Sequence, residues 1–138
     1  EEDDASGIIY VCRSHSDHPL ILGNKSVVHK IGVTGKNIES RLNGAEEDPT
    51  FLFAKAELVA SFELYNIDRH KMENLLHKVF AVARLEIEIP DRFGKAYHPQ
   101  EWFCVPLATI QDAVEKLKEG SLVQYKYNLK TGRLEKSV

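Results

Sequence analysis

IIYV at residues 8–11 and VVHKIGV at residues 27–33 are the two stretches that decide the fold of this chain. Both are short apolar runs rich in β-branched and aromatic residues, which is typical of buried β-strands. The segment between them, residues 13–24, contains Ser, Asp, Pro, Gly and Asn and predicts a long hairpin connection. A hairpin at this point indicates an α+β fold, because a doubly wound sheet would need a helix between its first two strands.

Helices and strands alternate after the hairpin. Ile38, Leu42 and Ala45 form the apolar stripe of the first helix. Asp68 is a suitable N-cap for the second helix, and Pro106 suits the first turn of the third. In chain order, the sequence predicts a helix over 38–45, a strand over 54–65, a helix over 69–83, a strand over 101–105, a helix ending at 120 and a hairpin over 122–128 and 132–135, with loops at 46–50 and 89–99.

Size and composition are those of one soluble globular domain. The chain has 138 residues, of which 43% are hydrophobic and 28% are charged, and this is enough for one compact core. No apolar run approaches the roughly 20 residues of a membrane span, and the acidic start is unlike a signal peptide. Two cysteines without a secretory signal indicate reduced thiols. We therefore expect an intracellular protein, cytoplasmic or nucleoid-associated, with no membrane partner.

The charge distribution says little about partners. The net charge is −3, and Glu1–Asp4 contribute −4 of it, which leaves +1 for the rest of the chain. Affinity for a polyanion would therefore depend on a local patch. We expect residues 1–6 to be an acidic, disordered leader, residues 7–120 to be the folded domain, and residues 121–138 to be a C-terminal hairpin or linker tail. A start without methionine is compatible with a domain cut from a longer protein.

A series of short motifs resembles a known family. The motifs are GIIY at 7–10, KIG at 30–32, Thr34 with Arg41, the helical pair Glu73 and His77, and EWF at 101–103. In order and spacing they resemble the GIY-YIG nuclease superfamily, especially the branch in which the second motif reads KIG. The resemblance covers about residues 7–103. It implies a small α/β sandwich with a central three-stranded antiparallel sheet flanked by helices, and a nuclease domain that cuts phosphodiester bonds with one divalent metal ion.

The resemblance also implies roles for individual residues. Tyr10 would be the general base, with its pKa lowered by nearby cations. Lys30, as an ammonium, would bind the scissile phosphate or steer the water, and Arg41 would bind two phosphate oxygens. Glu73 is the predicted metal ligand, because one carboxylate with phosphate and waters suits Mg²⁺, or Mn²⁺ in its place. His77 shares a helix face with Glu73 and would hydrogen-bond the phosphate or leaving oxygen, or orient Glu73.

Each of these assignments has a structural alternative. Tyr10 could be an ordinary strand aromatic, Lys30 a solvent-facing strand residue and Arg41 an exposed helix residue. His77 could be a histidine at the edge of the core that is bonded to the backbone. Many members of the superfamily carry a late asparagine that this chain lacks at an identifiable position, so the role of Glu101 stays open.

The sequence therefore predicts a metal-dependent endonuclease that hydrolyses DNA phosphodiester bonds with a tyrosine general base and Mg²⁺ or Mn²⁺. A second hypothesis is a catalytically inactive GIY-YIG-like module that binds nucleic acid or protein. A third is an unrelated α+β interaction domain, for which Tyr10, Lys30, Arg41 and Glu73 would be scattered over the folded molecule. The substrate sequence and the oligomeric state are not fixed by these residues.

Overall fold

A four-stranded antiparallel sheet lies at the centre of the fold. The structure is a computed structural model that describes residues 7–35 and 37–137, so the leader expected at residues 1–6 lies outside the described residues. The strands of the described chain are β1 (Gly7–Ser14), β2 (Val28–Thr34), β3 (Ala56–Leu64), β4 (Ile89–Pro90), β5 (Ala96–Tyr97), β6 (Trp102–Cys104), β7 (Tyr125–Asn128) and β8 (Arg133–Lys136). The central sheet has the order β3-β1-β2-β6, and the predicted first hairpin supplies its two inner strands.

The register of this sheet decides which side chains share a face. In the β1–β2 pair, Tyr10 lies opposite Gly32 and Cys12 lies opposite Lys30. In the β2–β6 pair, Lys30 lies opposite Trp102. The α+β class is confirmed, with a fourth strand in the sheet where three were expected, because β6 adds to the free edge of β2.

Four helices surround the sheet in the described chain. They are α1 (Pro19–Leu22), α2 (Ile38–Leu42), α3 (Arg69–Val79) and α4 (Leu107–Glu119), with short 3-10 turns at Ala45–Glu47, Pro49–Phe51, Ala81–Ala83 and Leu122–Gln124. The turn α1 lies in the segment predicted as a long hairpin connection, and His18 caps it by accepting the Leu20 N–H at Nδ1. Helix α3 starts after Asp68 as predicted but ends at Val79 instead of residue 83, because the chain tightens after Phe80 into a 3-10 turn.

The two faces of the sheet pack against different layers. Side chains alternate along a strand, so Ile9 and Val11 face the main core, which includes Leu76 of α3 and Ile110 of α4. Tyr10 and Cys12 face the opposite layer, where residues of α2 and the adjoining 3-10 turns cover them. The candidate site belongs to this second layer.

The C-terminal segment is part of the main core. Strands β7 and β8 form an antiparallel hairpin, and its Tyr127 ring packs edge-on against Phe80 with centroids 5.5 Å apart. Leu122, just before the hairpin, is 3% exposed. The predicted loop at 89–99 contains the two-residue hairpin of β4 and β5, which is too short to be recognised by alternation of apolar residues. No helix in residues 7–35 and 37–137 combines the length and the apolar character needed to cross a bilayer.

Candidate active site

A buried hydrogen bond joins Tyr10 to Lys30. Tyr10 and Cys12 are two residues apart on β1 and therefore face the same side of the sheet. Lys30 lies opposite Cys12 in the β1–β2 register, so its side chain shares that face. Lys30 Nζ lies 3.0 Å from Tyr10 Oη, and each residue is 1% exposed. Such a pair exists either as an ammonium that donates to the phenol oxygen or as a phenol that donates to a neutral amine. A proton can therefore pass between the two groups.

Burial controls the protonation of this pair. Loss of water raises the pKa of Tyr10, while Arg41 acts in the opposite direction with a smaller effect. Loss of water also lowers the pKa of Lys30, opposed by the carboxylate of Glu101. Both directions favour the neutral phenol and amine. Arg41 lowers the pKa of Tyr10 as predicted, but the net shift is upward because desolvation outweighs this effect.

Phe51 and Gly32 both lie against the Tyr10 ring. The rings of Tyr10 and Phe51 are stacked with centroids 6.4 Å apart and an interplanar angle of 18°. A Cβ built on Gly32 would lie 2.4 Å from Tyr10 Cζ. Lys30 Nζ lies 4.6 Å from the centre of the Phe51 ring. Phe51 therefore packs against both members of the pair, and Gly32 leaves the space that the phenol occupies.

Arg41 lies beside the pair and is partly accessible. Its guanidinium carbon is 4.8 Å from the Phe51 ring centre, and its Nη1 donates to Asp48 Oδ2 at 3.2 Å, with 31% of the side chain exposed. Burial opposes the charge on Arg41, but Tyr10 and Asp48 outweigh it and hold its pKa above its ordinary value. Arg41 is thus a fixed cation next to the phenol.

His77 is bonded to the backbone of β2. Its Nε2 lies 2.7 Å from the carbonyl oxygen of Ile31, and its ring packs against Phe103 with centroids 5.1 Å apart. This is the structural alternative given for His77, in which the ring nitrogen is hydrogen-bonded to the backbone rather than to a phosphate. Glu73 lies one turn earlier on the same face of α3, so His77 helps to place Glu73 by holding the helix on the sheet.

Two half-buried carboxylates, Glu73 and Glu101, lie near the pair. Each is close enough to act on the pKa values of both Tyr10 and Lys30. The backbone N–H of Gln100 donates to Glu101 Oε1 at 3.2 Å. Within the described ranges, no three His, Cys, Asp or Glu side chains form a complete metal-ligand group. Mg²⁺ keeps several waters and takes one or two carboxylates with substrate phosphates, so these two residues fit a metal that is completed by substrate.

The structure therefore gathers four of the five predicted site residues. Tyr10, Lys30, Arg41 and Glu73 lie in one region, so they are not scattered over the molecule as the third hypothesis predicted. Lys30 is not the solvent-facing residue of the structural alternative, because it is 1% exposed and its Nζ lies against Tyr10 and Phe51. The catalytic roles of these residues stay predictions.

A family model described as the T5orf172 domain matches residues 7–118 of the chain. The chain belongs to the T5orf172 domain family. This family is distinct from the GIY-YIG nuclease superfamily, so the resemblance stated from the motifs is wrong. The motifs misled because each is only a few residues long, and short runs of apolar and aromatic residues are common in strands of many folds.

The T5orf172 domain of this chain is similar to a longer bacterial protein. "Uncharacterized protein YeeC" from Bacillus subtilis (strain 168) is 34% identical to it over 117 residues, which covers 85% of this chain and 30% of the relative. The chain thus spans less than a third of the length of that relative. No solved structure matches the chain.

Sequence reasoning missed Phe51 and Asp48 as parts of this T5orf172 site. Residues 46–50 were expected to be a loop, but Asp48 caps a 3-10 turn by accepting the Thr50 N–H at 2.8 Å, and Phe51 ends that turn. The Asp48-Pro49 pair was an available signal, since an acidic cap followed by proline favours the start of a helical turn. That the turn packs over Tyr10 depends on tertiary contacts that no local pattern shows.

Proposed function

We propose that this domain is a metal-dependent endonuclease that hydrolyses DNA phosphodiester bonds. The observation that carries the proposal is the buried hydrogen bond of 3.0 Å between Tyr10 and Lys30, beside the fixed cation of Arg41. A proton-transfer pair can activate water, and a guanidinium fork binds two oxygens of a phosphate. A phosphodiester is therefore the substrate class that would use all three groups together.

In the proposed mechanism, Tyr10 and Lys30 act as one base. Tyr10 Oη takes a proton from water while its own proton passes to the neutral amine of Lys30. The hydroxide oxygen forms a bond to phosphorus, the bond from phosphorus to the leaving oxygen breaks, and that oxygen takes a proton from solvent. Lys30 then releases its proton to solvent. Arg41 donates hydrogen bonds to the non-bridging oxygens, where negative charge increases in the transition state.

Glu73 is the proposed ligand for Mg²⁺ or Mn²⁺, with Glu101 as the second nearby carboxylate. When bound, the ion would supply positive charge that polarises the phosphate. Glu73 suits this role because α3 places it at the site without enclosing it, so that waters and phosphate oxygens complete the ligand set. The proposal includes an intracellular location, cytoplasmic or nucleoid-associated, as expected from the sequence.

Nicking of supercoiled plasmid in Mg²⁺ or Mn²⁺ tests the proposal. Tyr10→Phe keeps the ring and its packing but removes the hydroxyl, and we expect a loss of roughly 10²-fold or more in cleavage rate. Lys30→Met and Glu73→Gln are expected to lose activity comparably. Glu115→Gln is the matched control, since Glu115 is an exposed residue of α4. Equal activity of Tyr10→Phe and Glu115→Gln would refute the proposed base.

A specific observation favours one alternative, a catalytically inactive module that binds nucleic acid or protein. Tyr10 is only 1% exposed, and an attacking water must reach its oxygen. A purified wild-type domain that binds duplex DNA tightly in Mg²⁺ or Mn²⁺ but never nicks it would support this alternative. RNA in place of DNA in the same assay identifies the preferred nucleic acid.

A further inference from the structure

Arg69 lies along the ends of the two central strands in a position that two glycines make possible. A Cβ built on Gly7 would lie 2.9 Å from Arg69 Cγ, and one built on Gly35 would lie 2.7 Å from both Cζ and Nη1 of Arg69. In the β1–β2 register Ile8 lies opposite Thr34, so Gly7 and Gly35 are next to each other. The arginine side chain thus runs across both strands with its stem at one glycine and its guanidinium at the other.

The same helix face carries Glu73 and His77. Residues four apart on a helix lie on one face, about 6 Å apart along the axis, so Arg69, Glu73 and His77 form a row. One end of the row is fixed where His77 Nε2 contacts Ile31 O at 2.7 Å. The other end is placed by the packing of Arg69 on Gly35. Glu73 lies between the two fixed ends.

The row follows the part of β2 that β6 leaves open. Strand β6 pairs with β2 over Val28 to Lys30, and the last backbone contact on this edge is from Ile31 N–H to Glu101 O at 3.1 Å. From Ile31 onward, side chains of α3 lie along the strand instead. An extended ligand that reaches Glu73 can therefore continue past the end of β2 toward Arg69.

We propose that Arg69 binds a backbone phosphate of the DNA strand one or two nucleotides from the phosphate at Glu73. This inference rests on the proposed function for its substrate. The separation of about 6 Å along α3 corresponds to between one and two nucleotides at a rise of about 3.4 Å per nucleotide along the duplex axis. Arg69 is an exposed residue, and a guanidinium has five N–H donors, so a contact made within the protein leaves donors for phosphate oxygens. Arg69 is a positioning residue and takes no part in the proton transfers.

Two different substitutions test this placement by binding rather than by cleavage. A short fluorescein-labelled duplex is titrated with protein in EDTA, and anisotropy is measured over a range of salt concentrations. Arg69→Ala removes the charge. Gly35→Ala keeps the charge but pushes the guanidinium aside, at little cost in stability because the clash is with the end of a flexible side chain. We expect each variant to bind about tenfold more weakly regardless of DNA sequence, with the magnitude of the salt slope reduced by about 0.9.

Lys78→Ala is the matched control, since Lys78 is an exposed cation at the other end of α3. Unchanged affinity in Arg69→Ala, an equal loss in Lys78→Ala, or no binding of duplex by the wild type would each overturn the inference. Unchanged affinity in Gly35→Ala would overturn the claim that Gly35 places the guanidinium. If the wild type never cleaves DNA but Arg69→Ala and Gly35→Ala weaken binding as expected, the endonuclease proposal fails and the phosphate contact stands.

Discussion

Replacing Gly32 by alanine removes the space in which the Tyr10 ring lies. The added Cβ would be 2.4 Å from Tyr10 Cζ and 2.5 Å from Tyr10 Oη, whereas carbon atoms in contact are normally about 3.5–4.0 Å apart. The ring must therefore move by about 1 Å or more. Phe51 is stacked on the Tyr10 ring and is fully buried, so a movement of Tyr10 also disturbs this second ring.

The expected cost combines two contributions. Overpacking of a filled core costs about 1–3 kcal/mol. A shift of this size also stretches the 3.0 Å bond between Lys30 Nζ and Tyr10 Oη, and a buried polar group without its partner costs about 1–3 kcal/mol. Since the two penalties share one displacement and are not strictly additive, we expect Gly32→Ala to lose about 2–4 kcal/mol of unfolding free energy.

Urea denaturation measures this loss, with Gly23→Ala as the matched control. Gly23 has an ordinary φ of −75°, is exposed, and its added Cβ would come no closer than 3.4 Å to Pro19 O. We expect that control to change stability by less than about 1 kcal/mol. Adding Tyr10→Leu to Gly32→Ala should recover part of the stability without any plasmid nicking. Equal stability and equal nicking activity of the Gly32 and Gly23 variants would refute the reasoning.

Two further predictions concern buried hydrogen bonds. Burial lowers the pKa of His29, whose Nδ1–H donates to Val105 O at 2.8 Å and whose Nε2 accepts from Arg13 Nε at 3.1 Å. His29 of the unfolded chain therefore binds a proton at a higher pH than His29 of the folded chain. As a result, the unfolding free energy measured in urea should fall as the pH drops below about 6.5. An equally steep fall in a His29→Gln variant would contradict this prediction. Trp102→Phe removes the 3.0 Å bond from Nε1–H to Thr50 O, and urea titration should show a loss of about 1–3 kcal/mol, whereas wild-type stability would mean that the bond is not made.

The sequence was sufficient to predict the strands of the central sheet but not their order in it. The apolar runs at 8–11 and 27–33 predicted β1 and β2 because buried strands are hydrophobic on both faces. Strand β6 was predicted as a strand, but its place beside β2 was not, because an antiparallel edge partner is selected by tertiary packing. The two-residue strands β4 and β5 lacked enough residues for any period to be seen.

The residues of the site could be predicted from the sequence, but their burial could not. Tyr10 and Lys30 were assigned to one site by the motif resemblance, because the strand patterns alone do not decide whether both side chains face it. Their burial was not expected, because it comes from Phe51 on a 3-10 turn that is distant from both strands in sequence. Burial then reversed the expected direction of the Tyr10 pKa and lowered that of Lys30. Local patterns identified the ionisable groups, and tertiary packing decided their protonation.

The C-terminal hairpin extends the folded unit beyond the segment that the family model matches. The family match ends at residue 118, whereas Leu122 and Tyr127 contribute buried side chains to the main core. A fragment trimmed to the shared segment would expose Phe80, which Tyr127 now covers, and would risk self-association through that bared surface. A fusion of this domain to another polypeptide should include the chain through residue 136, so that Tyr127 continues to cover Phe80.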